Sequence, residues 1–226
     1  SFSILIRGCG FFLPYEFGAF RALQELSPDL MKSASRIYGA SSGSLVATFA
    51  LCGCDAGKSY ALPFILNDIK LATLNALKSS FWSLFRGQKL IKILRDLLNC
   101  FLPPNAHQLV SGKLHVIITR VSDWRSIVVS EFASKEDLIQ ALICSCFVPV
   151  YFGLLPPVYH GVRYVDGEIG MWCANFVSRN TITISAFAGE YDICPREGPA
   201  AFFTFHISDC SLQISKRNIC RFQHIL

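Results

Sequence analysis

Ten residues, Ile37-Tyr38-Gly39-Ala40-Ser41-Ser42-Gly43-Ser44-Leu45-Val46, limit what this chain can fold into more than any others. Two β-prone residues run into Gly39, a serine follows between two glycines, and an apolar, helix-competent run continues from Leu45 to Cys52. This is the G-x-S-x-G pattern of a sharp strand-to-helix turn that lifts one serine hydroxyl clear of the backbone. Gly39 and Gly43 have a physical reason. The turn brings the segments on either side of Ser41 together, and only glycine tolerates that approach. Ala40 and Ser42 fill the variable positions, and the Ser42 N–H opens the helix, aimed where a tetrahedral oxyanion would form. A strand before and a helix after make Ser41 a candidate nucleophile rather than part of an ordinary polar turn.

A second turn lies upstream. Ser1 to Arg7 is apolar and β-branched enough for a central strand, and it runs into Gly8-Cys9-Gly10. Pro14 stands where a first helical turn begins, and Phe17, Phe20, Ala22, Leu23 and Leu26 give an apolar helical face that ends at Ser27-Pro28. The N–H groups of Gly8, Cys9 and Gly10 therefore meet a helix N-terminus, a ready site for an anion. A dinucleotide-binding loop would need glycine where this chain has Leu13. With a serine turn downstream, an oxyanion hole is the favoured reading of Gly8 to Gly10.

The remaining chain continues the alternation. Arg36 to Tyr38 reads as the second strand, and Lys58 to Leu77 and Gln88 to Cys100 read as helices. Between those helices Phe81, Trp82, Leu84 and Phe85 form an aromatic group, read as a packed core edge or an acyl-chain contact. Gly112 to Arg120 and Ser126 to Phe132 read as a hairpin turning at Ser122-Asp123. Ser134 and Asp137 form a capping box for a helix through Ile143. Tyr164-Val165 leads as a short strand into Asp166-Gly167-Glu168, and Thr181 to Phe187 is a further strand. Strands alternating with helices predict an α/β fold, a mainly parallel sheet between helical layers, in a single domain over 1–226. The chain starts without Met inside a strand, which reads as a piece cut at both ends.

Composition narrows the function. Hydrophobic residues make up 52% of the 226 and charged ones 16%, so either the core is large or part of the surface meets lipid. The net charge of +5 is scattered, which suits weak attraction to an anionic membrane and argues against nucleic acid. Ala141 to Val162 carries no charged residue, but Pro149, Gly153, Pro156 and Pro157 break it, so it reads as a helix end, a buried strand and a loop. The ten cysteines are dispersed. Cys52/Cys54 and Cys144/Cys146 sit in apolar runs with no matching histidine spacing, so buried reduced thiols in a cytosolic protein are expected, with no metal site.

A serine nucleophile needs a base. His107, His115, His160, His206 and His224 are available, and none lies in a context that marks a triad histidine. Asp166 sits between an apolar strand end and a glycine, where active sites of sheet-built enzymes collect.

The ordered set Gly8-Cys9-Gly10-Phe11, Gly39-Ala40-Ser41-Ser42-Gly43 and Tyr164-Val165-Asp166-Gly167 resembles the patatin-like phospholipase family. Ser145-Cys146-Phe147-Val148-Pro149-Val150-Tyr151 and Asp192-Ile193-Cys194-Pro195 are similar to its adiponutrin and adipose triglyceride lipase branch. The resemblance covers essentially the whole chain. It implies a three-layer α/β/α sandwich and a Ser-Asp dyad without histidine, with Ser41 as nucleophile, Asp166 as general base and Gly8, Cys9 and Gly10 as oxyanion-hole donors. It implies an acyl hydrolase acting on neutral glycerolipids, chiefly triacylglycerol, at a lipid-droplet or membrane surface in the cytoplasm, without cofactor or metal, and leaves room for a protein co-activator. The alternatives are a transacylase of the acylceramide type on the same dyad, or a catalytically weakened droplet-binding relative. Leu13 and Glu168 stand where the family usually has glycine and glycine or alanine, and Ile169 to Ala174 replaces a polar, proline-containing stretch.

Overall fold

Strand and helix alternate along the computed structural model, which describes residues 2–53, 87–171, 180–196, 204–207 and 210–225. The first unit is β1 (Phe2–Ile6), a short 3-10 turn (Gly10–Phe12), α1 (Leu13–Leu26), α2 (Pro28–Ser33), β2 (Ala34–Ala40) and α3 (Ser42–Leu51). Then come α4 (Gly87–Phe101), α5 (Ala106–Val110), β3 (Leu114–Arg120), β4 (Ser126–Val129) and α6 (Lys135–Cys146). The last part holds β5 (Val158–Tyr159), β6 (Val162–Asp166), α7 (Gly167–Met171), β7 (Thr181–Ile184), β8 (Thr204–Ile207), β9 (Cys210–Gln213) and α8 (Lys216–Ile225).

Side chains alternate across a strand, and this sorts the core into two layers. Ile4, Ile6, Ile37, Leu114, Val116 and Ile118 join one large cluster with Phe20 of α1, Val46 and Phe49 of α3, Leu98 of α4 and Leu138 and Leu142 of α6. Leu5, Tyr38, Ala40 and Ile117 take the opposite side with Met171 of α7. Helices thus lie on both faces of a sheet, the α/β/α arrangement.

The sheet runs β5-β6-β3-β2-β1-β7, with β4 also paired to β3. Strands β3, β2, β1 and β7 are parallel neighbours, and β4, β5 and β6 run antiparallel to theirs. One feature of the register positions the site. Along a single edge of β3, β2 pairs as far as Ala40 with Ile117, and β6 takes over at Asp166 with Ile118. β4 pairs Val116 to Thr119 along the other edge. The end of β2 and the end of β6 therefore meet at adjacent residues of β3.

Several boundaries differ from those read off the sequence. Pro28 does end α1 at the Ser27 cap, but it also opens α2 as the first residue of that helix, because a proline with no N–H costs nothing there. The Ser134 hydroxyl accepts the Asp137 N–H at 3.1 Å as a capping box requires, while the Asp137 carboxylate reaches back to the Ala133 N–H at 2.9 Å. The helix continues past Ile143 to Cys146. In Ala141 to Val162 the expected buried strand is instead the two-residue β5, with Val158 exposed and Tyr159 buried, folded back on β6. The strands expected over Ser126 to Phe132 and Thr181 to Phe187 stop at Val129 and Ile184. The expected Lys58 to Leu77 helix, the aromatic group at Phe81, Trp82, Leu84 and Phe85, and Cys54 lie outside the described residues. Among the described residues no helix is long and apolar enough to cross a membrane.

The large cluster makes α4 part of the fold's support. Leu98 is fully buried in it, and Leu98→Ala is expected to lower the unfolding free energy by about 2–5 kcal/mol, read as a shift of the urea midpoint at constant slope.

Candidate active site

Ser41 occupies a conformation that side chains resist. Its φ is 53° and its ψ −129°, a region that costs a non-glycine residue about 1–3 kcal/mol. The surroundings hold it there. A Cβ on Gly39 would lie 2.5 Å from the Ser44 Cα, and one on Gly43 would run into the Ile6 carbonyl oxygen, so neither position accepts a side chain. The Ser44 N–H and hydroxyl donate to the Ser41 carbonyl at 3.0 and 2.6 Å. The Ser41 N–H donates to the Ser145 hydroxyl at 2.9 Å, and that hydroxyl donates to the Ile117 carbonyl at 2.7 Å. Ile117 is where β2 pairing ends, so Ser145 takes up a carbonyl at the break in the ladder and fastens the turn to it. The Ser41 side chain makes no cap to α3.

Asp166 ends β6 and faces the same place. Its N–H donates to the Phe147 carbonyl at 2.8 Å, and its carbonyl accepts the Thr119 hydroxyl at 2.7 Å. Thr119 Oγ1 also accepts the Gly170 N–H at 2.9 Å, which ties α7 to β3. The Asp166 carboxyl accepts the Glu168 N–H at 2.9 Å, and the nearby Ser41 side chain favours its ionised form. Burial pushes its pKa up to about 7, with the charge of Glu168 adding to the rise and the Ser41 side chain and the Glu168 N–H opposing it. The carboxyl is therefore far more basic than an ordinary aspartate while remaining largely ionised just above neutrality.

The glycine loop lies against Ser41. A Cβ on Gly8 would be 2.7 Å from both the Ser41 Cβ and the Glu168 Cγ. Gly10, at φ 55°, turns the chain into the 3-10 turn that leads to α1. Two of the three N–H groups expected to form an oxyanion hole have partners within the chain. The Cys9 N–H donates to the Ser42 hydroxyl at 2.8 Å, and the Gly8 N–H donates to Glu168 Oε1 at 2.5 Å. Glu168 Oε2 accepts from Arg7 Nε and Nη2 at 3.1 and 2.7 Å. Close to Cys9 and Ser42, the Glu16 carboxyl is fully buried with neither oxygen hydrogen-bonded, and burial holds its pKa well above the usual carboxylate range. Leu13 is buried at the start of α1.

The histidines stand elsewhere. The His115 ring faces the Lys113 carbonyl, His160 pairs with Asp137 at 2.9 Å, and His206 bonds Ser211 at 2.7 Å. His107 Nδ1 is buried without a partner, and the His224 side chain lies outside the description. Cys9, Cys100, Cys144, Cys146, Cys194 and Cys220 are free thiols. No group of three or more metal-ligating side chains converges among the described residues.

Sequence reasoning gave no role to Ser145, Thr119, Arg7 or Glu16. Ser145 carried one usable signal, as a polar residue inside the uncharged apolar end of α6. Arg7 carried another, as a charge closing an apolar strand immediately before the glycine loop. Ser145 joins Ile117 and Ser41, and Arg7 joins Glu168, across 28 to 161 residues, so neither signal could name its partner.

The fold and the turn together define an α/β protein that presents a serine at the carboxyl edge of a parallel sheet beside a buried aspartate. The chain belongs to the patatin-like phospholipase family, whose description, "Patatin-like phospholipase", matches residues 4–179. It is 43% identical over 225 residues to the human omega-hydroxyceramide transacylase, covering 99% of this chain and 41% of that protein. It is 39% identical over 227 residues to the human patatin-like phospholipase domain-containing protein 2, covering 100% of this chain and 44% of that one. To the human 1-acylglycerol-3-phosphate O-acyltransferase PNPLA3 it is 39% identical over 220 residues, 97% of this chain and 44% of the relative. The chain spans less than half the length of each.

The raised pKa of Asp166 carries a consequence for stability. The folded protein holds this proton more tightly than the unfolded chain, so the carboxyl costs stability as pH rises from its unfolded value of 3.8 through about 7. Asp166→Asn, which keeps an acceptor for the Glu168 N–H, is expected to be more stable than wild type at pH 8, by up to about 4 kcal/mol, and to lose that advantage at pH 4. Urea titrations of both proteins at the two pH values measure it.

Proposed function

We propose that this chain is a serine acyl hydrolase that cleaves ester bonds of neutral glycerolipids, chiefly triacylglycerol, at a lipid-droplet or membrane surface facing the cytoplasm. The observation that carries the reading is that β3 brings the strained turn at Ser41 and the buried Asp166, whose basicity is raised, to adjacent positions along one edge. Asp166 takes the Ser41 proton as Oγ attacks the ester carbonyl carbon. The carbonyl oxygen becomes an oxyanion beside the N–H groups of Gly8, Cys9 and Gly10, at the N-terminal end of α3. The proton then passes to the leaving alkoxide as the ester C–O bond breaks, and an acyl group stays on Ser41. Water attacks that acyl-enzyme with Asp166 again as base, which releases the fatty acid.

Two features support a lipid substrate. The family is one of lipid acyl hydrolases and acyltransferases, and relatives at about 40% identity carry both kinds of name. The loop after Phe147, whose carbonyl holds the Asp166 N–H, exposes Val148, Val150, Leu154, Leu155 and Val158. Apolar side chains gathered at the approach to a site suit contact with a lipid surface.

The second reading has the same acyl-enzyme and a different acceptor. The omega-hydroxyceramide transacylase is among the relatives, at 43% identity, which favours transfer to a hydroxylated lipid over transfer to water. Triacylglycerol labelled in its acyl chain separates the two: free fatty acid supports the hydrolase, and label on an added hydroxylated lipid supports the transacylase.

Under either reading Ser41→Ala is expected to lower turnover at least about 10³-fold, and equal rates would refute the assignment of the nucleophile. A general base works when ionised. Wild-type kcat/KM is therefore expected to rise as pH passes through about 7 and to level off above it, and a profile flat from pH 5 to 8 would remove Asp166 from the mechanism.

A further inference from the structure

Glu168 occupies one of the N–H groups of the glycine loop: one of its carboxylate oxygens accepts the Gly8 N–H at 2.5 Å, a charge-assisted contact. The other is held by Arg7 through Nε at 3.1 Å and Nη2 at 2.7 Å. The Arg7 side chain is 5% exposed and that of Glu168 17%. The guanidinium is thus fixed in the protein, while the carboxylate retains a route to solvent. The same Gly8 abuts Ser41, since a Cβ there would touch the Ser41 Cβ and the Glu168 Cγ at equal distance. An anion sits within reach of the nucleophile, on a donor that faces it.

We propose that Glu168 is an internal occupant of the oxyanion site, clamped by Arg7, and that acyl transfer requires its carboxylate to leave the Gly8 N–H. The inference rests on the Ser41 reaction proposed above. A carboxylate resembles an oxyanion in charge and in its acceptor oxygens, so the Gly8 N–H, one of the donors that would stabilise the transition state, stabilises Glu168 in the resting enzyme. An ester carbonyl, which is neutral, competes poorly for that N–H until charge develops on it. Arg7 sets how firmly the site is closed, because two hydrogen bonds from a buried guanidinium to one carboxylate oxygen are costly to break. Glu168 reaches Gly8 with its side chain and Asp166 with its N–H, so removing the side chain opens the oxyanion site and leaves the base's hydrogen bond in place.

The test is the rate at which Ser41 is phosphonylated by a fluorophosphonate. Ser41 Oγ bonds to phosphorus, fluoride leaves, the hydroxyl proton passes to Asp166, and the phosphonyl oxygen needs the same donors as an oxyanion. Glu168→Ala is expected to label faster than wild type by about 10²-fold, the worth of one oxyanion donor. A rate within about twofold of wild type would overturn the proposal. Formate or acetate at millimolar concentration should then slow labelling of Glu168→Ala by refilling the vacated place, while chloride at equal ionic strength should not. Wild type should respond to neither. A variant slowed equally by all three salts counts against an oxyanion-site occupant. Should Glu168→Ala fail to give a cooperative thermal transition because Arg7 loses its carboxylate, the Arg7→Met, Glu168→Ala double variant carries the same expectation. Failure of the underlying reading looks different: no form, wild type included, would label at Ser41 when the adduct is mapped by mass spectrometry.

Discussion

The chemistry of this chain depends on a change of partner along one edge of β3. A parallel strand delivers Ser41 to that edge and an antiparallel strand delivers Asp166 to the next residue, Ala40 opposite Ile117 and Asp166 opposite Ile118. Sheet register is fixed in steps of one residue, and a slip by one would turn every side chain of the strand to the other face. The pairing therefore sets the separation of Ser41 and Asp166 more rigidly than a loop could. It also breaks the ladder at the Ile117 carbonyl. Ser145 satisfies that carbonyl and the Ser41 N–H together, so the break in the sheet and the strain of the turn are resolved by one hydroxyl.

Electrostatics then decide what the two residues can do. Three carboxyl groups gather about the site, and they differ in surroundings. Asp166 is buried, but the nearby Ser41 side chain and the Glu168 N–H oppose the rise, which leaves its pKa at about 7. Glu16 is fully buried, and burial holds its pKa well above the usual carboxylate range. Glu168 has Arg7. The three carboxyls thus differ by surroundings: one is paired with a guanidinium, one is raised chiefly by burial, and one is raised by burial and held back by hydrogen-bond donors.

The local chemistry of this arrangement was legible in the sequence. Gly39-Ala40-Ser41-Ser42-Gly43 demanded a turn that only those glycines allow, and a Cβ at Gly39 or Gly43 does collide with α3 or β1. Ser134 with Asp137 announced the start of α6, and the pattern around Arg120 to Ser126 announced the β3-β4 hairpin. These are signals within a few residues of one another. The helix from Pro28 was lost because the proline that ends α1 is also a favourable first residue for α2. The antiparallel return of β6 beside β3 and the clamp between Arg7 and Glu168 join residues 40 to 160 positions apart, and no local pattern encodes such pairs. Glu168 was visible as a departure from the family pattern two residues after Asp166. Its side chain both adds to the raised pKa of Asp166 and reaches the other half of the site at Gly8, a contact 160 residues away that the sequence could not show.

That geometry separates two functions within one residue. The Glu168 backbone supports the base, donating its N–H to Asp166, while its side chain holds the donor that an oxyanion would use. Both are fixed by the seating of α7: Thr119 ties Gly170 to β3, and a Cβ on Gly167 would strike the Ile117 carbonyl. A side chain at position 168 can therefore vary without moving the base, since the N–H belongs to the helix and not to the side chain. The reverse does not hold. Any change that lifts α7 from β3 shifts Asp166 and Glu168 together, losing the base and opening the oxyanion site in the same step. The departure of the carboxylate that we propose is therefore a motion of the Glu168 side chain against Arg7, with the Glu168 N–H still held on Asp166.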